Sequence, residues 1–268
     1  MILVRSAVFN AWFFGITFVL GLVGVGVRAI APARTLGLAR LWARWVLAGA
    51  RGICGIHVRI TGLERLPDWP NPGALLLASQ HQSAFDTLIW AALLPKFSYV
   101  YKAELEKIPL FGPMLPGAGQ IPIDRGASVT TVRRLLQATQ RAKAAGRQIV
   151  IFPEGTRVAF GQDAEIRGGF SMIAARTGLP IYPVATDSGL YWGRRAFRKR
   201  PGTVRIHVGE PIPPHLPGPQ LAAELKQRWL EANMGVNPVD KPVDDRSDNR
   251  GAAAEISTNE GRTGVLQR

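Results

Sequence analysis

The chain has a single cysteine, Cys54, in 268 residues, which excludes an intramolecular disulfide and any metal site built on several thiolates. That usage fits a reducing compartment and leaves Cys54 as a small packed hydrophobe. Histidine is scarce, with four in all, and three of them lie outside any ligand-like pattern. His57 sits in the alternating run 56–60, His207 in a similar one, and His215 in a proline-rich turn. Acids are also few, 19 against 33 Lys and Arg, for a net charge of +14. Residues 236–268 hold six acids and five bases, so the positive excess lies in residues 1–235 and calls for an anionic partner. Nucleic acid fits poorly, because no RNP, zinc-finger or helix-turn-helix pattern is present and the apolar N-terminus would go unexplained. No segment repeats at a fixed period, which excludes a repeat architecture. With 47% apolar residues the chain is long enough to bury one sizeable core.

From Ser6 to Val27 there are 22 residues without a formal charge. As a helix they reach about 33 Å, against a hydrocarbon core of about 30 Å. A signal peptide is the alternative, with Ala29-Ile30-Ala31 as its cleavage site, but the run is long for an h-region and Pro32 follows at once. Arg28, Arg34, Arg40, Arg44 and Arg51 follow the run, which places the rest of the chain on the cytoplasmic face of a cell (inner) membrane. Residues 34–54 predict a second helix, with arginines on one side and Leu38, Leu41, Trp42, Trp45 and Val46 on much of the rest. It reads as an interfacial helix, or else as one packed on the domain. With the first helix it would form a membrane anchor over residues 1–55, either spanning the bilayer or held as a hairpin in one leaflet.

Beyond Ile56 short apolar runs alternate with helical periodicity, which predicts a single α/β domain over 56–235 with a largely parallel central sheet flanked by helices. Strands are expected near 56–61, 73–79, 97–102, 120–124, 148–152, 180–185 and 203–208. Helices are expected near 83–94, 128–145 (Ser128 as its cap), 169–177 and 219–232. Residues 236–268, rich in Asp, Asn, Arg, Gly and Pro, read as a disordered tail.

The chemistry gathers after the strands. Ser83 and Asp86 have the spacing of a capping box, which puts Asp86 in the first turn of a helix and His81 just before it. An acid held there can accept Nδ1–H of the imidazole and leave the other ring nitrogen free as a base. The bland alternative is an ordinary cap beside an ordinary loop histidine. After the run 148–151 comes Phe152-Pro153-Glu154-Gly155-Thr156-Arg157. Pro153 fixes a turn, Gly155 permits a close approach, and Thr156 with Arg157 suits a phosphate monoester. Glu154 beside them is expected to orient Arg157 or to bind a substrate hydroxyl. The basic stretch Tyr191 to Arg200 reads either as a loop resting on anionic headgroups or as a solvated loop.

His81-x4-Asp86, the Gly-rich run ending in Ile123-Asp124-Arg125, Phe152 to Arg157, and Leu179-Pro180-Ile181-Tyr182-Pro183-Val184 stand in an order and spacing that resembles the four blocks of the PlsC-like glycerolipid acyltransferases. The resemblance spans about residues 56–213, and the form of the third block is closer to the 1-acylglycerol-3-phosphate acyltransferase branch. It departs at Gln80, where the family often has Asn, and at Arg167-Gly168-Gly169, where Lys-x-Gly is common. The resemblance implies transfer of a fatty acyl group from acyl-CoA or acyl carrier protein to the sn-2 hydroxyl of a lysophospholipid acceptor, giving phosphatidic acid. His81 would be the base, Asp86 its partner, and Arg125, Glu154, Gly155, Thr156 and Arg157 the acceptor site, without metal or cofactor. The alternatives are another lysolipid acceptor, such as a lyso-ornithine lipid or lysophosphatidylglycerol, a thioesterase that uses the same pair on water, or a catalytically silent binder.

Overall fold

Leu75, Leu76, Leu77, Ala78 and Ser79 form strand β2 (Leu75–Ser79), buried at every position in this computed structural model, which describes residues 1–123 and 129–234. Arg125, Ser128 and the 236–268 segment lie outside the described residues. Successive side chains of a strand point to opposite faces, and β2 uses both. Leu75 and Leu77 join Val150, Tyr182 and Val184 in one core, while Leu76 and Ala78 join Ile149, Ile151 and Ile181 in another. A strand covered on both sides has no solvent face to mark, which is why this segment is a continuous apolar run.

The other strands are β1 (Ile56–Thr61), β3 (Phe97–Lys102), β4 (Ile121–Ile123), β5 (Gln148–Ile151), β6 (Ile181–Thr186) and β7 (Gly202–Val208). They form one sheet in the order β1-β7-β6-β2-β5-β3-β4. Every neighbouring pair is parallel except β6 and β7. The expected largely parallel α/β sheet is therefore what the chain forms. Because β2, β5 and β6 run the same way, the loops after Ser79, Ile151 and Thr186 emerge at one end of the sheet, where such folds place their sites.

Helix α3 (Ala84–Leu93) packs over the first core. Helices α5 (Val129–Ala144), α6 (Gly168–Thr177) and α7 (Gly218–Met234) match the periodic segments read from the sequence to within two residues. A short helix unforeseen in the sequence, α4 (Met114–Gly117), precedes β4. The indole of Trp229 on α7 donates to the Ala78 carbonyl at 3.2 Å and ties that helix to β2.

At the N-terminus α1 (Ile2–Ile30) and α2 (Thr35–Cys54) form an antiparallel pair. Arg5 Nε donates to the Ile53 carbonyl at 2.6 Å, Trp12 stacks on Trp45 at 5.9 Å, and the Trp42 indole donates to Thr17 Oγ1 at 3.0 Å. A Cβ at Gly49 would collide with Trp12, so glycine is what lets the indole lie against α2. α1 is long and apolar enough to cross a membrane. It also belongs to the domain's packing: Phe9 is fully buried in the first core with Ala43, Val46, Ala50 and Cys54 of α2. The outward face of the pair bears Phe14, Phe18, Leu22, Leu41 and Trp45, all exposed. α2 thus packs one face on the domain and leaves another exposed. Arg44 turns inward at its head and donates to the Ala92 carbonyl in the last turn of α3.

The basic loop that follows β6 is part of this contact. Tyr191, Trp192 and Lys199 are buried there. The Lys199 backbone N–H donates to Ser6 Oγ and its Nζ to Asn10 Oδ1, both at 2.9 Å, and Phe9 meets Trp192 edge-on. Part of the loop, Tyr191, Trp192 and Lys199, is therefore packing rather than headgroup surface, and its exposed basic residues are Arg194 and Arg195.

Candidate active site

Ser83 has extended backbone and caps α3, and the reciprocal capping box with Asp86 is complete. Phe85 N–H donates to Ser83 Oγ at 3.1 Å. Asp86 is buried, and its Oδ2 accepts from the Gln82 and Ser83 backbone N–H groups, each at 2.7 Å, and from His81 Nδ1 at 3.2 Å. An ionised carboxylate only accepts, so His81 carries its proton on Nδ1 and presents a lone pair at Nε2. The imidazole remains 13% exposed against 2% for its partner. Such a pair can take a proton from a hydroxyl or a water brought to Nε2.

The loop after β5 holds the histidine from the other side. Glu154 Oε2 accepts the His81 backbone N–H at 2.8 Å, and Val158 N–H donates back to the His81 carbonyl at 2.8 Å. The Phe152 ring stacks on the imidazole with centroids 4.0 Å apart, and Tyr99 stacks behind it at 6.1 Å. Glu154 is thus committed to the His81 backbone, and no hydrogen bond or ion pair joins it to Arg157 among the described residues. Burial is the reason: the carboxyl is only 5% exposed and takes the nearest buried donor. Burial also pushes it up to about 8, with the His81 N–H opposing and the Asp86 charge adding to the rise.

A titration follows from that. A carboxyl more readily protonated when folded contributes stability that is fully present below its unfolded value and is lost as pH rises through the folded one. The loss should therefore run from about pH 4.5 to about 8. Glu154→Gln keeps an amide oxygen for the His81 N–H and does not titrate. Its Tm minus that of wild type should grow across this window by about 3 °C or more and then level off. Parallel Tm curves would show that the carboxyl ionises as freely folded as unfolded.

Gly155 adopts φ +67°, the left-handed conformation that the turn needs, and a Cβ there would press on Arg167 Cγ at 3.3 Å. Thr156 and Arg157 follow, both half-buried. The Arg157 guanidinium makes no hydrogen bond or ion pair among the described residues, and Arg194 Nη1 reaches only its carbonyl, at 3.5 Å. Burial, aided by Arg194, lowers its pKa, while the negative charge of Asp86 works the other way. A half-buried guanidinium beside the His81–Asp86 pair, with no bonded partner among the described residues, is a ready partner for an anion. The structure thus brings His81, Asp86, Glu154 and the Gly155 to Arg157 turn together at one end of the sheet, while Arg125 lies outside the described residues.

Three neighbours were given no role from the sequence. Gln82 is buried, donating from Nε2 to the Thr186 carbonyl at 2.6 Å and accepting from Gly189 N–H at 3.0 Å. Gln80 accepts from Thr186 N–H at 3.0 Å and from Asn233 at 3.2 Å, so this departure from the family pattern is spent on β6 and α7. Ser188 Oγ donates to Asp86 Oδ1. Among the described residues no three of His, Cys, Asp and Glu gather as metal ligands would. Two cavities of about 430 and 420 Å³ lie elsewhere, one along β1, β7 and the end of α7, the other between α2, β1 and α3.

Residues 57–187 match the family model described as Acyltransferase. The chain is 30% identical over 246 residues to a 1-acyl-sn-glycerol-3-phosphate acyltransferase of Pseudomonas aeruginosa, covering 90% of this chain and 94% of that one. It is 30% identical over 162 residues to a protein of the same name from Cocos nucifera, of which it spans about half the length (51%). The crystal structure of the LPA acyltransferase PlsC from Thermotoga maritima superposes with a TM-score of 0.68 at 20% identity, over 87% of this chain and 96% of that chain, which shows a common fold.

Proposed function

The chain belongs to the acyltransferase family, and on that premise we propose that it moves a fatty acyl group from a thioester, acyl-CoA or acyl carrier protein, to the sn-2 hydroxyl of 1-acyl-glycerol-3-phosphate, with His81 as general base. The observation that carries this reading is the His81 Nδ1 to Asp86 Oδ2 bond of 3.2 Å beside the Arg157 guanidinium, which has no hydrogen bond or ion pair among the described residues. One group can accept a hydroxyl proton, and the other can hold a phosphate on the same molecule.

In this mechanism the acceptor oxygen attacks the thioester carbonyl while its proton passes to His81 Nε2. The C–O bond forms, the C–S bond breaks, and the proton leaves His81 with the thiolate as a thiol. Asp86 stabilises the imidazolium between those steps. Arg157 and Thr156 hold the acceptor phosphate, with Arg125 assigned to the same task. Ser83 is spent on the cap of α3, so no acyl-serine is invoked. The exposed apolar face of α1 and α2 would meet the lipid. Because Phe9 and Ser6 of α1 are buried against the domain, a hairpin lying in the cytoplasmic leaflet of the inner membrane fits better than a free spanning helix.

The test is acyl transfer from a labelled long-chain thioester to lysophosphatidic acid in mixed micelles. Wild type should give phosphatidic acid. Arg157→Ala should raise KM for the lysolipid about 10- to 100-fold with a smaller change in kcat, as expected when a charge-assisted bond to a bound phosphate is lost. An unchanged KM would move the acceptor to a lysolipid without a phosphate monoester. Thioester hydrolysis by wild type, without transfer, would favour the thioesterase.

A further inference from the structure

Strand β6 ends in Thr186-Asp187-Ser188-Gly189, a turn that owes its shape to its own buried polar groups. Ser188 N–H donates to Thr186 Oγ1 at 3.1 Å, and Asp187 Oδ1 accepts from Arg205 N–H at 2.7 Å. Gln82 then bridges the turn to the start of α3 through the Thr186 carbonyl and Gly189 N–H. Ser188 is fully buried. It donates to Asp86 Oδ1.

The two oxygens of Asp86 therefore have separate duties. Oδ2 closes the capping box and meets His81, and these bonds are complete without Ser188. Oδ1 has Ser188 as its donor. Without that donor Oδ1 would have no hydrogen bond among the described residues, and one restraint on rotation about the Cβ–Cγ bond would be gone. Any such turn moves Oδ2 away from His81 Nδ1. We propose that Ser188 is a positioning residue for the His81–Asp86 pair, holding the carboxylate plane in the orientation in which Oδ2 meets the imidazole. This rests on the acyltransferase reading above.

The test compares Ser188→Ala, Ser188→Thr and Ser188→Val in the micelle assay, with kcat, both KM values and Tm measured for each. Thr and Val have nearly the same volume and differ in the hydroxyl, so any cost of fitting an extra methyl cancels between them. Ser188→Ala should lower kcat about 10- to 100-fold with both KM values within about twofold of wild type. Ser188→Thr should exceed Ser188→Val in kcat about tenfold or more at similar Tm. Equal kcat in the Thr and Val variants, or wild-type kcat in Ser188→Ala, would overturn the assignment while leaving the acyltransferase reading intact. Failure of wild type to acylate any lysolipid would instead remove that reading, and this one with it.

Discussion

Replacing His81 by alanine should lower kcat for acyl transfer by about 10²- to 10⁴-fold, the usual range for a general base, and leave Tm almost unchanged. The stability half of this expectation comes from the geometry. His81 is fixed mainly through its backbone, by Glu154 at its N–H and Val158 at its carbonyl, and alanine keeps both bonds. The side chain gives the fold one bond to Asp86, whose Oδ2 still has two backbone donors when the imidazole is gone. What alanine removes is the lone pair at Nε2 and the ring that stacks on Phe152. His81→Phe separates these two, since it restores a stacked ring without a base. If the phenylalanine variant recovered activity that alanine lost, the ring's packing rather than proton transfer would be what the site requires.

How legible each part was depended on how local its cause is. Strand β2 and helix α3 were readable because continuous burial and the Ser83 to Asp86 spacing act over a few residues. The parallel sheet followed from the alternation of such segments. What no periodicity encodes is which loop meets which at the end of the sheet. β6 lies beside β2 although about 100 residues separate them, so the Ser188 to Asp86 bond has no local sign in either segment. Glu154 was read as orienting Arg157, its neighbour in sequence, or as binding a substrate hydroxyl. Burial committed it instead to the backbone of His81, 73 residues away. The same holds for α1, whose apolar run announced a membrane helix but not that Lys199 would reach back to Ser6 and Asn10. Hydropathy reports that a face will leave water, not whether protein or lipid receives it.

The variant that isolates the charge of the pair is Asp86→Asn. An amide has one oxygen, so it must choose between the two sets of partners of the carboxylate. With its nitrogen at the Oδ2 position, an NH2 would face the Gln82 and Ser83 N–H groups, which sit 2.7 Å from that oxygen now. With its oxygen there, the nitrogen faces Ser188, whose hydroxyl can rotate to accept. The second arrangement keeps every bond of the capping box and still offers an acceptor to His81 Nδ1–H. The asparagine should therefore preserve the fold and the tautomer and remove only the negative charge that stabilises the imidazolium. We expect Tm within about 2 °C of wild type and a fall in kcat of about 10²- to 10⁴-fold. Asp86→Ala should lose kcat and Tm together, because two buried backbone donors lose their acceptor along with the cap. If Asp86→Asn kept more than about a tenth of wild-type kcat, the carboxylate would be only a cap, and His81 would act without its charge.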